Sequence, residues 1–316
     1  MIFTVIKLRP RGPFHIGERE DWKEGSKTYI PSDTIFSALC HSYLLLYGEV
    51  DSLLKGFIDG NPPFIISSAF PYWQQSYFFP VPKNQIPSDK ELKKIQFIEL
   101  IGLRRLLCGE RLDDIKGEIK TIPYFDHGGL IFPWKMENVP RVGLSRWTNH
   151  PGENFFHFGQ VTYQGDAGLF LLIDFKNNSL DEKLLAAFNL LAQEGVGGNR
   201  TNGRGLFYKP EVSEIRIDTA EYDGVYSISM YYPSIPEIPG IAKAFYELGD
   251  RKGYIYSPSG QSLRRRSIRM FIEGSVFPND KKRVGTIVDV TPDAFNAHRV
   301  YRYGYMFPIP CRLEVI

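Results

Sequence analysis

A helix that runs into a glycine-rich loop and leaves it as a strand is the tightest constraint on this chain. Residues 179–195, SLDEKLLAAFNLLAQEG, carry apolar positions at helical spacing, with Ser179 or Asp181 to start the helix and Gly195 to end it. The loop GVGGNRTNGRG, Gly195 to Gly205, then places five glycines and two arginines in eleven residues. The strand-like stretch LFYKPEVSEIRI follows.

That order rules out the two common glycine-rich nucleotide loops. A Walker A loop ends in Gly-Lys-Ser/Thr, whereas Gly203 is followed by Arg204 and Gly205. A dinucleotide fingerprint needs three glycines between a strand and a helix; Gly195 and Gly197 fit, but Arg200 holds the third position. A helix enters this loop, so no helix N-terminus points at a bound phosphate. One glycine is enough to end a helix. Four more, interleaved with Arg200 and Arg204, suit close approach of backbone to an anionic chain. Asn199, Thr201 and Asn202 add neutral donors. A phosphodiester backbone and a simple flexible turn both remain open on this ground.

The rest of the chain reads as short elements punctuated by its 22 prolines and 29 glycines. Residues 2–9 read as a strand and PSDTIFSALCHSYLLLYG, 31–48, as a helix. Ser32 or Asp33 would cap that helix, Ile35, Phe36, Leu39, Tyr43 and Leu46 would form its apolar stripe, and Gly48 would close it. Two aromatic strands fall within 63–82, and an amphipathic helix capped by Ser88 is expected over 88–109. Residues 110–160 suggest a hairpin insertion, and QGDAGLFLLIDF a strong strand. The order β-α-β-β, insertion, β-α-β suits a ferredoxin-like α+β domain over 1–215, its insertion at about 84–160, with antiparallel sheets. Residues 216–316 suit a second, smaller ferredoxin-like copy with degraded helices, one helix being expected in IPGIAKAFYELG.

Net charge is only +2, which argues for a local basic groove over a general polycation. Cys40, Cys108 and Cys311 are far apart and make no CxxC pair, as expected in a reducing compartment without structural zinc. The apolar run near Met1 is short and broken by Lys7, and no stretch is long enough to span a bilayer, so a cytoplasmic protein is expected. None of His15, His41, His127, His150, His157 and His298 makes a metal spacing, and no cofactor is expected. His41 reads as structural, Asp113 and Asp114 lack a partner cluster, and Glu18, Glu20 and Asp21 read as a solvated loop. The His-Gly-Gly at 127–129 has no GxSxG nucleophile beside it.

Other stretches offer RNA chemistry beside a plain structural reading. Arg9, Arg11 and His15 leave the first strand, either as a solvated strand end or as a groove beside the glycine loop. Ser32, Asp33 and Thr34 begin a helix, which serves capping first and phosphate binding second; Asp33 would oppose an anion and instead suits a cap or an organiser of basic residues. Arg141, Arg146 and Trp147 mix basic and aromatic groups that stack unpaired bases, or simply pack within a hairpin. Arg264, Arg265, Arg266 and Arg269 form a charge run, either a solvated face or a contact to backbone or partner.

GVGGNRTNGRG resembles the glycine-rich loop of the RAMP superfamily of CRISPR proteins, G-x-G-G-x-R-[S/T]-x-G-x-G, with Thr201 in the hydroxyl position. PSDTIFSAL at 31–39 is similar to the opening of the first helix in the Cas-five-like group of type III complexes. RVGLSRWTN at 141–149 is similar to a RAMP segment preceding a hairpin, and HRVYRYGYMFPIP at 298–310 resembles the C-terminal strand of that group. Together they resemble the family of the fourth subunit of type III-A (Csm) effector complexes. The resemblance implies two ferredoxin-like domains and a non-catalytic RNA-binding role: capping the complex at the crRNA 5′ handle, docking the large polymerase-like signalling subunit, and meeting a RAMP backbone subunit. It implies neither membrane nor small-molecule substrate. Gly197, Gly198 and Gly203 join the loop's polar residues as expected RNA contacts. The alternative is a metal-independent endoribonuclease that matures CRISPR RNA, with His15 beside Arg9 and Arg11 as its centre and Tyr29 as helper.

Overall fold

The structure, a computed structural model, describes residues 1–17, 24–126, 129–150, 155–176, 182–218, 222–257, 263–279 and 284–315. The expectations for Glu18, Glu20, Asp21, His127, Ser179 and Asp181 therefore lie outside the described residues. The chain is mixed α/β with antiparallel sheets and few helices.

Strand β1 (Ile2–Leu8) leads to α1 (Ser32–Tyr47) and α2 (Asp51–Ile58), then β2 (Phe64–Ile66), β3 (Phe70–Trp73) and β4 (Ser76–Pro80). Next come β5 (Phe97–Glu99), α3 (Leu100–Leu107), α4 (Leu112–Ile115), β6 (Thr121–Ile122) and the small hairpin β7 (Tyr124–Asp126) and β8 (Gly129–Ile131). A long hairpin, β9 (Trp134–Val142) and β10 (Phe155–Tyr163), precedes β11 (Ala167–Phe175), α5 (Glu182–Glu194) and β12 (Glu211–Arg216).

The eight-stranded sheet runs β12-β1-β11-β3-β4-β5-β6, and β2 joins it on β11. One edge of β11 pairs with β1. Its other edge is shared end to end, Ala167–Phe170 with β3 and Ile173–Phe175 with β2. Seven consecutive residues of β11 are buried, so it reads as a continuous apolar run, as a strand covered on both faces must. In α5, Leu184, Ala187, Phe188, Leu191 and Ala192 are buried at helical spacing. They pack beside α1, which buries Ile35, Phe36, Leu39 and Tyr43. Leu46, expected on that stripe, is exposed instead.

The C-terminal part is built from short strands. These are β13 (Gly224–Ser227), β14 (Leu248–Arg251), β15 (Ile268–Phe271), β16 (Val276–Pro278), β17 (Val288–Asp289), β18 (Tyr301–Arg302) and β19 (Pro308–Cys311). They form a three-stranded sheet, β16-β13-β19, and two pairs, β14-β15 and β17-β18. Much of this part packs into the N-terminal core rather than on itself. Phe307 meets Phe3 at 5.0 Å between ring centroids, and Tyr303 meets Phe36 at 4.8 Å. The Tyr303 hydroxyl accepts from the Ile66 amide at 2.9 Å, and the Tyr305 hydroxyl donates to the Phe57 carbonyl at 2.5 Å.

Two expected helices are corrected. Residues 88–109 hold a short 3-10 turn at Leu92–Lys94, strand β5, and only then α3. Phe97 and Ile98 are claimed by β4 and β6 as sheet partners, which overrides their helical periodicity. Ser88 caps nothing; its hydroxyl and amide are held by Asp113, which thereby has a partner. Residues 235–243 form a 3-10 helix with a Ser234–Glu237 capping box, and the chain turns extended at Ala244. Pro239, inside the helix, withholds an amide that an α-helix would use, whereas Pro236 sits in the first turn, where proline is tolerated. Among the described residues, no helix is long and apolar enough to cross a membrane.

Candidate nucleic-acid interface

The glycine loop is closed onto the segment that leaves β1. Gly195 ends α5 with φ +82°, its amide bonding Leu191 at 2.8 Å. The Gly198 amide donates to the His15 carbonyl at 2.9 Å, the Gly205 amide to Pro13 at 3.1 Å, and the Val196 amide to Gly205 at 3.0 Å. A Cβ on Gly197 would sit 2.3 Å from the His15 carbonyl oxygen, and one on Gly205 would sit 2.1 Å from that of Val196. The close approaches that need glycine here are therefore made within the chain. Gly203, with φ +74°, has open space where a Cβ would be.

Between these anchors the chain turns outward. Arg200–Asn202 form one 3-10 turn, flanked by Asn199 at φ +63° and Gly203, both left-handed. Thr201, Asn202 and Gly203 are exposed, while Asn199, Arg200 and Arg204 are half-buried. The Arg200 guanidinium lies 4.3 Å from the centroid of the Tyr256 ring, whose edge relation with His41 of α1 spans 4.8 Å. His41 is held below its ordinary pKa by burial and then by the Arg200 charge. Arg204 Nε is buried without an acceptor among the described residues.

Arg9 and Arg11 reach the same region. Their segment is stitched to the residues that leave the loop ahead of β12, Arg11 N–H to Leu206 at 2.9 Å and Tyr208 N–H to Arg9 at 2.9 Å. Both guanidinium groups lie over the Tyr208 ring, at 5.7 and 5.9 Å. Arg11, Asn189, Gln193, Tyr208 and Lys209 line a cleft of about 580 Å³. His15 is buried between the loop and the long hairpin, its Nδ1 2.8 Å from the Gly159 carbonyl and its ring 4.4 Å from Phe158. Tyr29, its expected helper, is engaged elsewhere: it donates to Glu273 at 2.9 Å and accepts from Lys27 at 3.2 Å. Burial and then Glu273 raise its pKa, so it stays protonated.

The long hairpin is anchored at its base by the Phe14–Val161 bridge and pairs over its full length. Nine residues at roughly 3.3 Å each carry its tip about 30 Å away. Arg141 is half-buried on β9, whereas Arg146 and Trp147 stand in the exposed turn beyond it. Trp147 is 95% exposed. They are thus remote from the glycine loop.

The start of α1 does different work from that expected. Pro31 occupies the cap position and no side chain caps the helix. Ser32 is fully buried, its hydroxyl accepting from the Met230 amide at 3.0 Å, so its side chain is closed to RNA; that expectation is corrected. Asp33 is the organiser of basic residues: Arg251 grips it with two bonds of 2.8 and 2.9 Å, and Arg302 binds its second oxygen. Burial alone would raise its pKa, but the two guanidinium groups outweigh burial and hold it well below the carboxylate range. Thr34 accepts from Arg251 at 3.0 Å. In the arginine run, Arg264 donates to Tyr254 at 3.1 Å, Arg266 pairs with Asp293 and Arg269 pairs with Asp250 at 3.0 Å. Arg251, Arg302, Tyr208 and Tyr256 escaped the sequence reading, because isolated residues become neighbours only through folding.

A helix, an inward-anchored glycine loop and an arginine turn beside the first strand define a class. Residues 7–208, more than half of the chain, match the RAMP superfamily, and the chain belongs to it. Residues 220–311 match the CRISPR Csm4 C-terminal domain. The CRISPR system Cms protein Csm4 of Thermococcus onnurineus is 27% identical over 328 residues, covering 98% of this chain and 97% of that one. A chain of the Csm3–Csm4 subcomplex in the type III-A CRISPR-Cas interference complex shares the fold, with TM-score 0.65, 21% identity and coverage of 97% and 99%. So does a chain of the Csm1–Csm4 cassette in complex with pppApA, with TM-score 0.63, 22% identity and 98% coverage of both. Among the described residues no group of His, Cys, Asp and Glu could hold a metal ion.

Proposed function

We propose that this chain is a non-catalytic, cytoplasmic RNA-binding subunit of a type III-A CRISPR effector, holding the 5′ handle of the crRNA. The observation that carries the reading is the outward turn of the glycine loop. It presents Arg200, Thr201 and Asn202 while Arg9 and Arg11 converge from the adjoining segment. Arginines beside exposed tyrosines suit a single strand, whose phosphates take paired donors and whose bases take aromatic faces. The hairpin turn with Arg146 and Trp147 would meet a second stretch of the strand.

The large signalling subunit and a RAMP backbone subunit are the proposed partners. Support comes from relatives whose solved complexes are named for Csm1 with Csm4 and Csm3 with Csm4. Two ferredoxin-like units divided near residue 215 are part of the same proposal. The two family matches, 7–208 and 220–311, break at that place.

The test is binding of 5′-handle RNA by the full-length chain in EDTA. The Arg200→Ala, Arg204→Ala double variant should bind more weakly and with a smaller salt slope. Unchanged affinity and slope would sink the assignment. RNA cleavage that disappears in His15→Ala would replace it with the endoribonuclease reading.

A further inference from the structure

Three arginines from the C-terminal part gather around a single aspartate. Arg251 and Arg302 occupy both oxygens of Asp33, and their side chains are 12% and 4% exposed against 0% for Asp33. The third, Arg265, is partly buried beside them, its amide fastened to the Gly253 carbonyl at 2.9 Å. Among the described residues no acceptor meets the Arg265 side chain, and its Nε is buried without a partner, as is that of Arg302. Burial and then repulsion from Arg302 push its pKa down to about 10. A cation partly withdrawn from water without an ion-pair partner adds nothing to the stability of the fold and lowers it somewhat. Departures of this kind are expected at functional sites.

We propose that Arg265 is an anion receptor, and that its counter-charge is a phosphate of the bound single-stranded RNA. The inference rests on the reading above that the chain binds RNA. Its position favours RNA over a partner's carboxylate. Gly253, opposite Arg265, begins a ribbon that continues through the exposed rings of Tyr254 and Tyr256. Tyr256 lies three residues on, about 10 Å along an extended chain, and there it carries Arg200 of the glycine loop. A strand gripped by Arg200 would thus be carried along exposed aromatic faces toward an unpaired guanidinium.

The test compares wild type, Arg265→Gln and Arg265→Lys as full-length chains, in thermal melts without RNA and in single-stranded RNA titrations at several salt concentrations. Arg265→Gln should melt no lower than wild type, because among the described residues no acid pairs with the lost cation. It should bind RNA about tenfold more weakly and lower the salt slope by about 0.7. Arg265→Lys should recover much of the slope. A glutamine variant that melts lower or fails to fold, or that binds RNA with unchanged affinity and slope, overturns the proposal. Unchanged RNA binding with lost affinity for a protein subunit overturns it in favour of a carboxylate partner. If wild type binds RNA and Arg265→Gln matches it, only this inference falls; if wild type binds none, the RNA-binding reading falls with it.

Discussion

The Asp33 carboxylate and the Arg302 guanidinium, 269 residues apart in sequence, form a buried ion pair that fastens the start of α1 to strand β18. Arg251 completes the clamp from β14. Asp33→Asn would leave two buried guanidinium groups without an anion, at a cost of about 3–5 kcal/mol. Chemical denaturation should read that loss directly. Because the folded pKa of Asp33 is lowered, the clamp's contribution is complete above the ordinary carboxylate value and fades as pH falls through it toward the folded value. The Asn variant should therefore lose part of the wild type's acid sensitivity; equal acid limbs would contradict the clamp.

The loop glycines separate into two kinds. Gly205→Ala would strain a left-handed backbone and drive a methyl into the Val196 carbonyl. It should cost clearly more than the roughly 1–2 kcal/mol of the left-handed conformation alone. Gly203→Ala meets open space and should cost only that conformational amount. Urea titrations of the two variants give the ranking, and equal losses would refute it.

Each phosphate contact on a single strand contributes roughly 0.7 to the salt slope. Removal of Arg200 and Arg204 together should therefore lower the slope by about 1.4. Trp147→Ala, distant from the loop, should weaken binding through lost stacking with little change of slope. Filter-binding assays across salt concentrations distinguish the two classes of loss.

His41 reports on Arg200. Burial is the larger cause of its lowered pKa and Arg200 the next, so Arg200→Ala should raise it only partway toward the ordinary histidine value. In wild type, protonation opposes folding as pH drops below that ordinary value, and the penalty should be smaller in the variant. NMR titration of the ring protons reads the shift. An unmoved His41 would break the link between loop and helix.

Much of the fold was legible where one periodicity dominated. The apolar run of β11, the helix of α5 and its glycine stop all lie where local pattern put them. Legibility failed where partners distant in sequence overruled the pattern. Phe97 and Ile98 became strand because β4 and β6 flank them, and Ser32 and Asp33 were diverted from capping by Met230, Arg251 and Arg302. A place beside the loop was one of two readings of Arg9 and Arg11, the other being a solvated strand end, and the backbone bonds bring their segment to the loop.

The amino-acid sequence alone determined the helix-loop-strand order and the residue types of the loop, and so excluded a nucleotide cradle. Spacing along a chain carries that information, because a helix or a glycine turn is satisfied within a few residues. Only the tertiary structure decided which glycines serve closure and which arginines meet an acid. Those properties depend on burial and on charges brought together across the whole chain, as Asp33 and Arg302 are.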